Sequence, residues 1–124
     1  MTRPDPDAPL NPVSLEQQMV EALNSISQSI KPVSKAYDDW QTSELAFKRE
    51  YAMAFREAEG SIEQRKQEAI EKTMPAAEEA KDNEVVYKYL LDHQKAYRDK
   101  LSAYQTLAKS VNAAYGAAGT VGHG

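Results

Sequence analysis

Cysteine is absent from this chain of 124 residues. Small secreted domains commonly depend on disulfides, so a reducing compartment is favoured. Large apolar residues are also scarce, with one Trp and two Phe against seven Tyr. Mean hydropathy is −0.69 and apolar residues make up 41% of the chain, below the usual globular share. Such a chain does not enclose a large dry core of its own. No apolar run approaches the roughly 18 residues of a membrane span, so no membrane partner is expected. Glycine is equally sparse: of five, four fall in the last nine residues. That terminal GAAGTVGHG neither follows a strand nor opens a helix, so it does not read as a phosphate-binding loop.

Net charge is −4 and the isoelectric point about 5.2, which argues against a protein whose main task is gripping duplex phosphates. The distribution is uneven. Residues 85–115 carry five basic residues against Asp92 and Asp99, so this segment is locally positive.

What the chain does have is helical periodicity. From Met19 an apolar stripe steps four, three, four, three through Leu23, Ile26, Ile30, Val33, Tyr37, Trp40, Glu44, Phe47, Tyr51, Ala54 and Ala58. After Gly60-Ser61 the stepping restarts at Ile62. It continues through Lys66, Ala69, Thr73, Ala76, Ala80, Asn83, Tyr87, Leu90, Gln94, Tyr97, Leu101, Tyr104, Ala108, Val111 and Tyr115. A period of 3.5 residues keeps a narrow stripe turned toward a partner helix.

The boundaries are written in capping chemistry. Ser14-Leu15-Glu16-Gln17 and Ser61-Ile62-Glu63-Gln64 both have the form of a capping box. Gly60 supplies a helix stop directly before the second box. So short a connection makes antiparallel neighbours. The expected fold is all-α: a long, coiled-coil-like antiparallel hairpin over 14–115 with its turn at 60–61. A Pro-rich disordered tail is expected at 1–13 and a flexible Gly-rich tail at 116–124. Pro32 and Pro75 each cost a backbone hydrogen bond. The stripe keeps its phase across both, which favours kinks over breaks.

Folding at Gly60-Ser61 makes paired residue numbers total about 120. Trp40 is then expected to meet Ala76, Ala77 and Ala80, and Val33 to meet Tyr87. The residues expected to carry the packing seam are Trp40, Phe47, Tyr87, Leu90, Tyr97 and Leu101. Leu45, Ala46, Met53, Ile70, Val86, Leu91 and Leu107 fall outside it. A lone hairpin buries little. Homo-oligomerisation is therefore expected, most simply a four-helix dimer, or docking on another protein.

Catalysis is not expected. There is no thiol, and a hairpin lacks the walls and oxyanion donors that hydrolytic chemistry needs. Metal and cofactor sites are not expected either: Leu90, not Glu, stands three residues before His93. Glu44 reads as an exposed or Lys72-paired residue at the stripe edge. Asn83 and Gln94 read as residues that set register. A possible nucleic-acid face comprises Lys88, Tyr89, Lys95, Arg98 and Lys100, where an aromatic ring and cations would hold single-stranded DNA. The plainer account makes these lysines a solvated face.

Three short segments carry a family likeness: Glu50-Tyr51-Ala52-Met53-Ala54-Phe55 with Glu59-Gly60-Ser61, Arg65-Lys66-Gln67-Glu68-Ala69, and Tyr97-Arg98-Asp99-Lys100-Leu101-Ser102-Ala103. Over 44–112 the chain resembles small helical-hairpin proteins of phages and prophages, a group without an agreed activity. The resemblance implies an accessory protein in the cytoplasm of a host cell. It would act on a host or phage protein, or in a DNA-processing context. It carries over no functional residues. Secreted WXG-type hairpins are a poorer fit, because Trp40 is followed by Gln41-Thr42 and lies about 20 residues before the turn.

Overall fold

A computed structural model describes residues 11–121, with side chains as far as Gly116. It holds two helices, α1 (Pro12–Glu57) and α2 (Ile62–Val121), joined by residues 58–61 and packed as a hairpin. Among the described residues there is no other regular element.

The start of α1 is set by Asn11-Pro12. The Asn11 side-chain oxygen accepts the Ser14 N–H at 2.9 Å, and its carbonyl accepts the Leu15 N–H at 3.1 Å. Asn11 is the N-cap and Pro12 occupies the first helical position, where a missing N–H costs nothing. This corrects the expected start at the Ser14 box, because Ser14 is already inside the helix. The rest of the expected N-terminal tail, residues 1–10, lies outside the described residues.

The second capping box forms as expected. The Gln64 side-chain oxygen accepts the Ser61 N–H at 2.9 Å, and the Ser61 hydroxyl accepts the Gln64 N–H at 3.2 Å. Gly60 has φ +107°, a conformation that side-chain-bearing residues rarely adopt. A Cβ there would also strike the Gln64 amide oxygen. Gly60→Ala is therefore expected to lose about 2 kcal/mol, from backbone strain and a broken cap together. Thermal unfolding of the two proteins at equal concentration checks this. Arg65 closes the end of α1: its Nε donates to the Phe55 carbonyl at 3.2 Å and its guanidinium lies 4.4 Å from the Phe55 ring centre. A cation suits the negative end of a helix dipole.

Pro32 and Pro75 sit inside continuous helices. Both are exposed, as are Gln28 and Glu71, whose carbonyls lose their helical donors. Water can satisfy those oxygens, so neither proline breaks its helix. At the other end, α2 runs to Val121, past the tail expected from 116. Ala113, Ala114, Ala117 and Ala118 are the strongest helix formers and outweigh Gly116 and Gly119.

Two compact units divide the hairpin. One holds the turn and residues 30–92; the other holds, of the described residues, 11–29 and 93–121. In the turn unit the α2 stripe is as expected: Ala69, Thr73, Ala76, Ala80, Asn83, Tyr87 and Leu90 are all buried or half-buried. In the end unit, Gln94, Tyr97, Leu101, Tyr104, Ala108 and Val111 continue the same spacing. Ile62, Lys66 and Tyr115, the outer members of the expected stripe, are exposed.

The α1 stripe differs from the expectation. Met19, Ile26, Val33, Trp40, Phe47 and Ala54 do face inward, but Leu23, Ile30 and Tyr37 do not. Their place is taken by Leu15, Ala22, Ser29, Ala36 and Ser43, which also repeat every seven residues. Four of those five are small. Small residues let two helix backbones approach closely, and large neighbours are then pushed to the flank.

Candidate functional site

In the turn unit, α1 and α2 meet through an aromatic cluster and a polar bridge. The Trp40 ring stacks on Tyr87 with centres 5.4 Å apart and planes at 23°. Tyr37 meets both edge-on, at 6.1 Å from Trp40 and 5.3 Å from Tyr87. The ring contacts observed for Trp40 and Tyr87 are with each other and with Tyr37, a cluster that the expected pairing did not include. Ala80 is nonetheless buried, as the alanine-rich stretch foretold.

The register explains this difference. Asn83 donates its amide to the Ser43 hydroxyl at 3.1 Å and to the Asp39 carbonyl at 3.3 Å. In the end unit Gln94 donates to the Ser29 hydroxyl at 2.8 Å, and Tyr104 bonds Gln18 at 3.4 Å. These pairs lie two to six residues beyond the expected total of 120. About two of those residues follow from side-chain tilt. Each side chain leans toward the N-terminus of its own helix, so antiparallel contacts join residues one step later in both arms. Asn83 and Gln94 therefore do bridge the arms, as their polar character within an apolar stripe suggested. Ser43 and Ser29 pass the bond on by donating to the carbonyls of Trp40 and Ile26.

Two flanks border the seam of the turn unit, and they differ in chemistry. On one, Pro32, Lys35, Ala36, Asp39, Asn83, Val86 and Leu90 line a shallow notch. Lys35 and Asp39 form an ion pair of 2.7 Å across its α1 side. The hydrogen bond to Asp39, then its charge, raise the Lys35 pKa. On the other flank, around the Tyr37–Tyr87 contact, α1 shows Ile30, Tyr37, Glu44 and Tyr51 at seven-residue spacing. Beside them α2 shows Ile70, Ala77, Glu84 and Leu91. Glu44 pairs with Lys48 at 3.9 Å, and Lys72 with Glu68 at 3.3 Å, so Glu44 does not take Lys72. Glu84 accepts from Lys88 at 3.2 Å and from Lys81 at 3.4 Å. The bond from Lys88 is the main reason its carboxyl titrates below the ordinary 4.5; partial burial opposes it. The Glu84 contribution is present above that ordinary value and fades as pH falls through the lowered one.

The six expected seam residues, Trp40, Phe47, Tyr87, Leu90, Tyr97 and Leu101, are all half-buried. The nucleic-acid candidates are placed less coherently. Lys88 and Tyr89 belong to the turn unit, and Lys88 is held by Glu84. Lys95, Arg98 and Lys100 belong to the end unit and are exposed. At 100° per residue Lys100 lies about 140° around the helix from Lys95, and its ammonium sits 5.8 Å from the Tyr104 ring centre. What the sequence reading missed is the Arg65–Phe55 clamp and the column of small residues in α1. The second was visible as Ala22, Ser29, Ala36 and Ser43 at steps of seven.

Among the described residues, no group of three or more His, Asp or Glu side chains is arranged to hold a metal ion. No helix among them is long and apolar enough to cross a membrane. Comparisons with protein-family models, with curated proteins and with solved structures each gave no match.

Proposed function

We propose that this chain is a non-catalytic accessory protein of the phage type, acting by protein–protein contact. In this reading two hairpins associate into a four-helix dimer, and the dimer offers its outer surface to a host or phage protein. One observation carries it: among the described residues the fully buried apolar positions are nearly all small, while many large apolar side chains stay exposed. Of the large apolar residues among those described, only Leu15 is fully buried; the other buried apolar residues there are alanines. Ile30, Leu45, Met53, Val86 and Leu91 remain exposed. Exposed apolar side chains on both flanks of the seam are available to an association surface.

Light scattering on the purified chain tests the reading. The expected mass is twice the 13.8 kDa of one copy. A single-copy mass at tens of micromolar would remove the assembly on which the reading rests. The alternative, an accessory single-stranded DNA binder, predicts a salt-sensitive gel shift with a short unpaired oligonucleotide. The adaptor reading predicts none.

A further inference from the structure

We infer that the copies meet through one particular flank of the turn unit. This is the flank built from Ile30, Tyr37 and Tyr51 on α1 and Ile70, Ala77 and Leu91 on α2. The inference rests on the self-association just proposed and adds the surface that performs it.

Four observations select this flank and a second copy as its occupant. The first is stripe width. In the turn unit α1 shows three adjacent inward or apolar columns at seven-residue spacing: Ala36 and Ser43; Val33, Trp40 and Phe47; and Ile30 and Tyr37. A single partner helix covers two columns. A third column is the pattern of a helix that has two helical neighbours, as in a four-helix bundle. The second is residual exposure. Ile30, Tyr37, Ile70 and Leu91 are 57%, 45%, 42% and 38% exposed, which leaves apolar surface on this flank for a further partner. The opposite flank also carries charge among its apolar residues, at Lys35, Asp39, Lys72 and Glu79.

Charge is the third. An isologous contact sets a surface against itself, so it must not repel its own copy. The two acids in the centre of this flank are each neutralised from their own helix, Glu44 by Lys48 and Glu84 by Lys88 and Lys81. These three lysines and two acids leave one positive charge per copy and no unpaired carboxylate among them to repel its own copy. A strongly charged partner would find nothing here to select it. Size is the fourth. The α1 and α2 segments of this unit are about 40 Å long and together about 20 Å across. That makes a face of roughly 800 Å² per copy, which is what a standard specific interface takes from each partner.

The test compares two double variants of the full chain with the parent. Ile30→Glu with Leu91→Glu charges the proposed face. Met53→Glu with Val86→Glu charges the opposite flank at residues of similar exposure. All four positions are exposed, so both variants are expected to keep their helical circular dichroism. The first should weaken association by roughly 100-fold or more and scatter as one copy at micromolar concentration. The second should remain paired. If the parent pairs and the first variant pairs equally well, the face is wrong while self-association stands. If only the second variant falls apart, the opposite flank is the interface. If the parent itself is a single copy, both the face and the assembly are overturned.

Discussion

Replacing Trp40 with alanine is expected to lower the unfolding free energy by about 3 kcal/mol, a fall of roughly 10 °C in melting midpoint. The indole is the largest side chain in the turn unit and is shared between the arms through its stack on Tyr87. Its loss removes that stack and the edge contact with Tyr37, and it leaves a cavity between the arms. The ring is only half-buried, which places the cost at the lower end of the range for core aromatics. Trp40→Phe gives a sharper contrast. The indole nitrogen is buried without a hydrogen-bond partner, and an unmet buried donor costs about 1–3 kcal/mol. Phenylalanine keeps much of the ring and discards that donor. It is expected to melt within a few degrees of the parent. Equal losses in the two variants would mean that the indole N–H has a role its surroundings do not show. Both melts belong at one fixed protein concentration, because association raises apparent stability.

The second large effect separates two leucines in the end unit. Leu15 is 1% exposed and Leu23 is 52% exposed. Leu15→Ala is expected to cost about 3 kcal/mol, the usual figure for a leucine removed from a packed interior. Leu23→Ala is expected to cost less than about 1 kcal/mol in a single copy, since roughly half its surface already meets water. Urea titrations of the two variants decide it. If Leu23→Ala is the more damaging, then the stripe through Leu23, Ile30 and Tyr37 is the true seam and the packing described above is inverted.

This contrast shows how much of the molecule was legible beforehand. The α2 stripe was readable because its inward positions keep one unbroken four-three stepping from Ala69 to Val111. The neighbouring column of Ile70, Ala77 and Leu91 is interrupted by Glu84. The turn was readable because Gly60, Ser61 and Gln64 leave little choice: one backbone needs a positive φ, and two side chains satisfy each other's orphan N–H groups. The start of α1 was misplaced because Ser14 and Gln17 offered a good cap, while Asn11-Pro12, a better one, stood three residues earlier.

Local chemistry in the chain determined the two helices, their joint and the fact that the arms face each other. Those depend on caps, glycine and periodicity, which act within a few residues. The choice among the three columns of α1 came only from the tertiary structure. Columns spaced by seven are indistinguishable by period, and apolar size favours Leu23, Ile30 and Tyr37. Close approach of a second backbone favours Ala22, Ser29, Ala36 and Ser43 instead. How near the arms can come is a property of both together, so neither helix carries that answer alone.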